Sequence, residues 1–253
     1  MRKHREVRAH HKGMDSLQAP FWQAHRIPCE NSALRVPGIL YLHGFCSSAK
    51  TAKGVFLTQR FAEIGVPVTV PELDDGDFRN TTLTQQLRLV ARLTNELQPD
   101  LLIGSSLGGY LAALHAARAP SSVPLLVLLA PAFDFANRLG LALGAAKQAW
   151  QRIGRHEFFH YRSGRNEALA WSFLEDAQRY EPFPDVLSAT RILHGRHDES
   201  VPAALSERFA RARPNVDLEL LDTDHQMLDQ TAVIWSRVRR YYSEARSTRE
   251  SVR

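Results

Sequence analysis

Two adjacent serines, Ser105 and Ser106, lie between glycines in the stretch LLIGSSLGGYLAAL, after a short apolar run and before a helix-like one. The string Gly104-Ser105-Ser106-Leu107-Gly108 fits G-x-S-x-G, which forms a nucleophile elbow when a strand precedes it and a helix follows. Glycine on both flanks permits a sharp turn that lifts the central serine clear of the sheet, and this selects Ser106. Ser105 lacks the frame, because Ile103 stands two residues before it. A serine hydroxyl is a poor nucleophile at neutral pH. It needs a base, and the base needs an acid to orient it.

The expected chain order after the serine is acid, then histidine. Asp198, in RHDESVP, follows the apolar run TRILHG, and His225, in TDHQML, follows VDLELLD. If those runs are strands parallel to the one before Ser106, all three side chains emerge on one sheet edge. Taken singly, Asp198 reads as a turn or N-cap aspartate and His225 as a surface histidine. Their order and placement together point to catalysis. Asp134, after another apolar run, is a rival acid. His194 ends its strand and His197 adjoins the acid, while Asp222 and Asp224 flank His225 as loop caps. An oxyanion formed by attack on a carbonyl needs donors, and the expected ones are the N–H groups of Leu107 and Phe45. Phe45 stands in YLHGFCSS, a turn shaped by His43 and Gly44, where Cys46 reads as a small packing residue. No histidines and carboxylates show zinc spacing such as H-E-x-x-H, so the site is read without metal or cofactor.

These residues need a scaffold, and the hydrophobic pattern supplies one. Apolar runs at 38–45, 66–73, 100–104, 124–131, 190–195 and 216–222 read as strands. Helical stretches alternate with them near 54–65, 81–97, 107–118, 202–212 and 230–242, the second with Leu83, Leu87, Val90, Leu93 and Leu97 on one face. Continuous apolar strands alternating with helices predict an α/β fold, a mostly parallel sheet covered on both faces. From Phe133 to about Ser188 the pattern predicts helix and no strand, hence a helical cap insertion over the strand ends, where ligands of parallel sheets bind. The organisation expected is a basic extension over 1–25, a core of 26–132 and 189–243, the cap over 133–188, and a basic tail over 244–253. Trp150, Phe158, Phe159, Trp171 and Phe173 in the insertion fit either an apolar pocket or the cap's own core.

Length and charge narrow the function classes. With 253 residues, 44% of them hydrophobic, the chain can bury a full core. The net charge of +5 is concentrated at the ends: residues 1–14 hold five basic residues against Glu6, and 237–253 hold six arginines against two glutamates. The body between is mildly acidic, which argues for solvated tails rather than a nucleic-acid surface. Cys29 and Cys46 are too few for a disulfide scaffold. The N-terminus has no apolar signal region, and no apolar run approaches a membrane span. A cytoplasmic protein is expected, with no nucleic-acid or membrane partner and no oligomeric state specified.

On these residues the sequence resembles the α/β-hydrolase superfamily from about Ile39 to Tyr242. HGF, GSSLGGYLA, HGRHDESVP and DTDHQM stand where that superfamily carries its oxyanion turn, elbow, acid loop and histidine. YLHGFCSSAKTAK and IGSSLGGYLAA are most similar to the small YqiA-type bacterial esterases, although the basic N-terminal extension departs from that group. The resemblance implies the α/β-hydrolase fold and a serine esterase acting on a small-molecule acyl substrate. Ser106, His225 and Asp198 would form the triad, with Phe45 and Leu107 as oxyanion donors. A thioesterase, acyltransferase or peptidase could use the same groups, and a non-catalytic binding member of the fold is the alternative from another class.

Overall fold

Each central apolar run alternates its side chains between two buried faces. The computed structural model, which describes residues 38–123 and 125–251, turns this alternation into one sheet with a core on either side. The strands are β1 (Ile39–Leu42), β2 (Val68–Thr69), β3 (Leu101–Ser105), β4 (Leu125–Leu129) and, beyond the insertion, β7 (Ala189–Gly195) and β8 (Val216–Leu221). They are parallel throughout and ordered β2-β1-β3-β4-β7-β8. Ile39, Tyr41, Leu101, Ile103, Leu125, Val127 and Leu129 face α1 (Ala52–Ala62) and α8 (Thr231–Ser251). Leu40, Leu42, Leu102, Leu126 and Leu128 face the opposite layer, which includes α2 (Leu83–Leu97), α3 (Leu107–Arg118) and α7 (Ala203–Arg211). A strand buried on both faces cannot slip by one residue without exchanging its two faces, which fixes the register.

The helices end where their chemistry predicts. Thr82 caps α2 by accepting the Gln85 N–H, an interaction worth ~1 kcal/mol. Gly65, with φ of +72°, ends the turn after α1.

Three sequence expectations are corrected. The run 66–73 keeps only two residues as strand, because Pro67 and Pro71 remove backbone donors on either side and confine β2 to the sheet edge. The insertion is not purely helical. Besides α4 (Phe135–Leu143), α5 (Ala145–Ile153) and α6 (Ser172–Ala177), it holds an antiparallel hairpin of β5 (Arg155–His160) and β6 (Arg165–Ala170). Its inward positions His156, Phe158 and His160 alternate with outward Arg155, Glu157 and Phe159, so an exposed aromatic beside an inward histidine hid the period of two. Residues 244–251 are helical, continuing α8, and Ala245 is buried on α1's side of the sheet, so the tail expected from 244 onward begins inside the domain. The proposed extension 1–25 lies outside the described residues.

Within the insertion the aromatic residues pack on one another. Trp150 and Phe173 are fully buried, and Trp150 makes edge-on contacts with Phe158 and Trp171. They build the cap's own core. Phe159 does not join it and is half exposed.

Candidate active site

The elbow is built by close approach. Helix α3 starts directly under the end of β3, so a Cβ on Gly108 would overlap the Leu42 carbonyl oxygen, and one on Gly104 would overlap that of Gly108. Ser106 between them adopts φ 55° and ψ −119°, a conformation side chains avoid and neighbours must enforce. Its N–H donates to the Leu129 carbonyl at 2.9 Å, and its own carbonyl accepts from Ala132 at 3.0 Å, which stitches the turn to β4. The result is a partly exposed hydroxyl at the carboxyl edge of the sheet, on the N-terminus of a twelve-residue helix.

The loops after β7 and β8 bring Asp198 and His225 to it. His225 Nδ1 lies 2.6 Å from Asp198 Oδ2, and Nε2 lies 3.1 Å from Ser106 Oγ. A carboxylate only accepts, so Nδ1 carries the proton and donates it to Asp198, leaving Nε2 as acceptor for the Ser106 hydroxyl. Asp198 is saturated. Oδ1 accepts from the N–H groups of Ser200 and Val201 at 2.9 and 2.7 Å, and Oδ2 accepts from His194 Nε2 at 3.1 Å as well as from His225. Burial opposes ionisation of Asp198, but the two imidazole donors, the Val201 N–H and the charge of His225 outweigh it. Its carboxyl is held well below the usual carboxylate range. His194, fully buried, also approaches the Val201 carbonyl at 2.8 Å. With Nε2 donating, Nδ1 accepts from the Ser206 hydroxyl at 2.7 Å, so the acid is buttressed through α7.

The rival residues sit elsewhere. Asp134 caps α4 in the left-handed region, and its Oδ1 accepts from Asn137 at 2.6 Å. Ser105 is buried as the last residue of β3. His197 pairs with Asp222 at 2.6 Å on the exposed surface, and Asp224 folds the histidine loop by accepting from the N–H groups of Gln226 and Met227.

Leu107 follows Ser106 at the start of α3, and Phe45 follows Gly44 in the turn after β1. Gly44 brings the β1 turn so close that a Cβ there would stand 3.3 Å from Ser106 Cβ. Among the described residues no backbone carbonyl accepts from the N–H of Phe45, nor from that of Leu107 at the start of α3. The Phe45 ring packs into the cap, stacked on Phe173 at 5.4 Å and edge-on to Phe158 and Phe135. The Tyr161 N–H donates to the Cys46 carbonyl at 2.9 Å, so the hairpin grips the same turn. Burial pushes the Cys46 thiol up, which favours its protonated form. Among the described residues no group of three or more His, Cys, Asp or Glu is arranged to hold a metal ion. None of their helices is long and apolar enough to cross a membrane.

Sequence reasoning missed two residues packed around this arrangement: Ser206 on α7, whose hydroxyl donates to His194, and Lys53 in the first turn of α1, whose Nζ donates to the Gln226 carbonyl beside His225. Neither carries a motif.

Comparison with known proteins agrees with the architecture. The mouse palmitoyl-protein thioesterase ABHD10, mitochondrial, is 28% identical over 229 residues, which cover 79% of this chain and 72% of the mouse protein. The human protein of the same name is 27% identical over 224 residues, covering 78% and 69%. Among solved structures, mouse alpha/beta hydrolase domain-containing protein 10 superposes with a TM-score of 0.69 at 23% identity, covering 82% of this chain and 90% of that one. Est1E from Butyrivibrio proteoclasticus superposes with a TM-score of 0.63 at 20% identity, covering 84% and 89%. The α/β-hydrolase fold is therefore shared across distant sequences, and the match of residues 38–239 to the model of the uncharacterised protein family UPF0227 makes this chain a member of that family.

Proposed function

We propose that the protein is a serine hydrolase that cleaves carboxylic esters through an acyl-enzyme, with Ser106 as nucleophile, His225 as general base and Asp198 as the orienting acid. The observation that carries this reading is the unbroken hydrogen-bonded line Ser106 Oγ, His225, Asp198, at 3.1 and 2.6 Å, on an elbow held in a strained conformation. His225 Nε2 takes the hydroxyl proton as Oγ attacks the acyl carbonyl. The imidazolium that forms is stabilised by the ionised Asp198. The carbonyl oxygen becomes an oxyanion between the N–H groups of Phe45 and Leu107, each worth ~10²–10³ in rate. His225 returns the proton to the leaving alcohol. Water, losing a proton to His225, then attacks the acyl carbonyl, and His225 gives that proton to Ser106 Oγ as the carboxylic acid leaves. The fold alone does not dictate this chemistry; the constellation supports it.

A thioester is the second substrate class, and a specific observation favours weighing it: the ABHD10 relatives are named palmitoyl-protein thioesterases. The same groups serve both, since only the leaving atom differs. The test is one panel of p-nitrophenyl esters of graded acyl length run beside the matching acyl-CoA thioesters and an S-acylated peptide. Ester preference appears as kcat/KM at least tenfold above the matched thioester. The reverse ratio assigns the protein to thioester cleavage, and no turnover of either class, with no covalent labelling by a fluorophosphonate, overturns the hydrolase reading.

A further inference from the structure

Lys53 stands where two local rules oppose a cation. It is buried, and it occupies the first turn of α1, whose N-terminal dipole disfavours positive charge. Burial pushes its ammonium down to about 8, against the pull of Asp198 and Asp224. A residue that violates local preference is kept in place by something non-local. Here that is the histidine loop, 173 positions away in sequence: Nζ donates to the Gln226 carbonyl at 2.9 Å and reaches the carbonyl of His225 itself at 3.5 Å.

We propose that Lys53 is the positioning residue for His225, its ammonium fixing the main chain of the histidine loop and facing Asp198 so that the imidazole stays aligned on the Ser106 hydroxyl. This rests on the triad reading above. The rest of the loop is held from other sides. Asp224 accepts from Gln226 and Met227, Thr223 hydrogen-bonds Asp229, and Met227 is a fully buried plug in the left-handed region. None of these holds the backbone carbonyls of His225 and Gln226. The charged groups around the assembly are Asp198 and Asp224, whose negative charges favour the Lys53 ammonium, Asp229 bonded to Thr223, His194 on the far side of Asp198, and the exposed His197–Asp222 pair. Lys53 is the cation that offsets the two carboxylates.

The test compares Lys53→Met and Lys53→Arg with the parent protein, each checked for folding by circular dichroism and thermal melting. Lys53→Met is expected to lower kcat about 10–100-fold with KM within about threefold, the cost of a misplaced catalytic group. Removing a cation that faces the Asp198–His225 pair favours the protonated imidazole, so the acid limb of kcat/KM moves up by about 0.5–1 pH unit. Lys53→Arg, which keeps charge and donors, is expected to recover most of kcat and the parental acid limb. A second readout needs no substrate. The far-downfield proton resonance of the short His225 Nδ1–H···Asp198 bond is expected to broaden or disappear in Lys53→Met and to return in Lys53→Arg. A folded Lys53→Met protein with the parental resonance and parental titration overturns the proposal whatever the enzyme hydrolyses. Reduced kcat with an unmoved acid limb and no recovery in Lys53→Arg also overturns it, leaving Lys53 a packing residue. Failure of the hydrolase reading shows separately, as absence of turnover and labelling in the parent.

Discussion

At the scale of single residues, what matters is which hydrogen bond each polar group already has. Asp198 and Asp134 both follow strands in the sequence, and nothing in their local strings separates them. The structure separates them by partners: Asp198 meets two imidazoles and two backbone N–H groups, whereas Asp134 accepts from the side chain of Asn137. Asp198→Asn keeps the shape but cannot accept in the same way, and it is expected to lower kcat by about 10²–10⁴ with the fold intact. Asp134→Asn should stay within about twofold, both read on the preferred p-nitrophenyl ester. The reverse pattern would move the acid. The meeting of Ser106 and His225 was legible because each follows an apolar strand, and the ends of parallel strands emerge on one sheet edge. Lys53 and Ser206 were not legible, because a side chain's partner 173 or 12 positions away leaves no local pattern.

At the scale of elements, the cap and the turn after β1 pack as one unit. Phe45 supplies a candidate oxyanion N–H from its backbone and an anchor for the cap from its ring, with edge-on aromatic pairs each worth ~0.5–1.5 kcal/mol. Phe158, on hairpin strand β5, touches both Phe45 and Trp150. Phe158→Ala is expected to destabilise the protein by about 1–3 kcal/mol in urea titrations. It should also lower kcat of the folded enzyme several-fold, since the turn loses a support. Lost stability with unchanged kcat would uncouple the two. The sheet strands were readable because they are buried on both faces and need only be apolar. The hairpin was not, because it is covered on one face and its outward side mixes charge with Phe159. Likewise the aromatic residues of the insertion were readable as apolar, but whether they line a pocket or fill a core depends on which helix they meet.

At the scale of the whole molecule, the candidate site is assembled by six parallel strands whose carboxyl ends carry three loops to one place. Two buried titrating groups, one on those loops and one on their neighbour helix, each make stability rise with pH, in separate windows. The Asp198 carboxyl is depressed in the folded state, so its contribution is present above the unfolded value near 3.9 and is lost as pH falls below it. Lys53 is also depressed, but as a base. Between about 8 and 10.4 the unfolded chain binds the proton that the folded one has released, so stability rises with pH across that window. Urea denaturation of the parent and Lys53→Met at pH 7, 8, 9 and 10 is expected to show the parent gaining on the variant above pH 8. Parallel curves would show that Lys53 is not depressed by burial.

The central claim is that Ser106 is the nucleophile and that its neighbour is not. Intact-mass measurement after fluorophosphonate treatment tests it directly in three proteins: the parent, Ser106→Ala and Ser105→Ala. The expected result is one covalent adduct in the parent and in Ser105→Ala, and none in Ser106→Ala, with ester turnover following the adduct. An adduct retained by Ser106→Ala and absent from Ser105→Ala would contradict the account at its root.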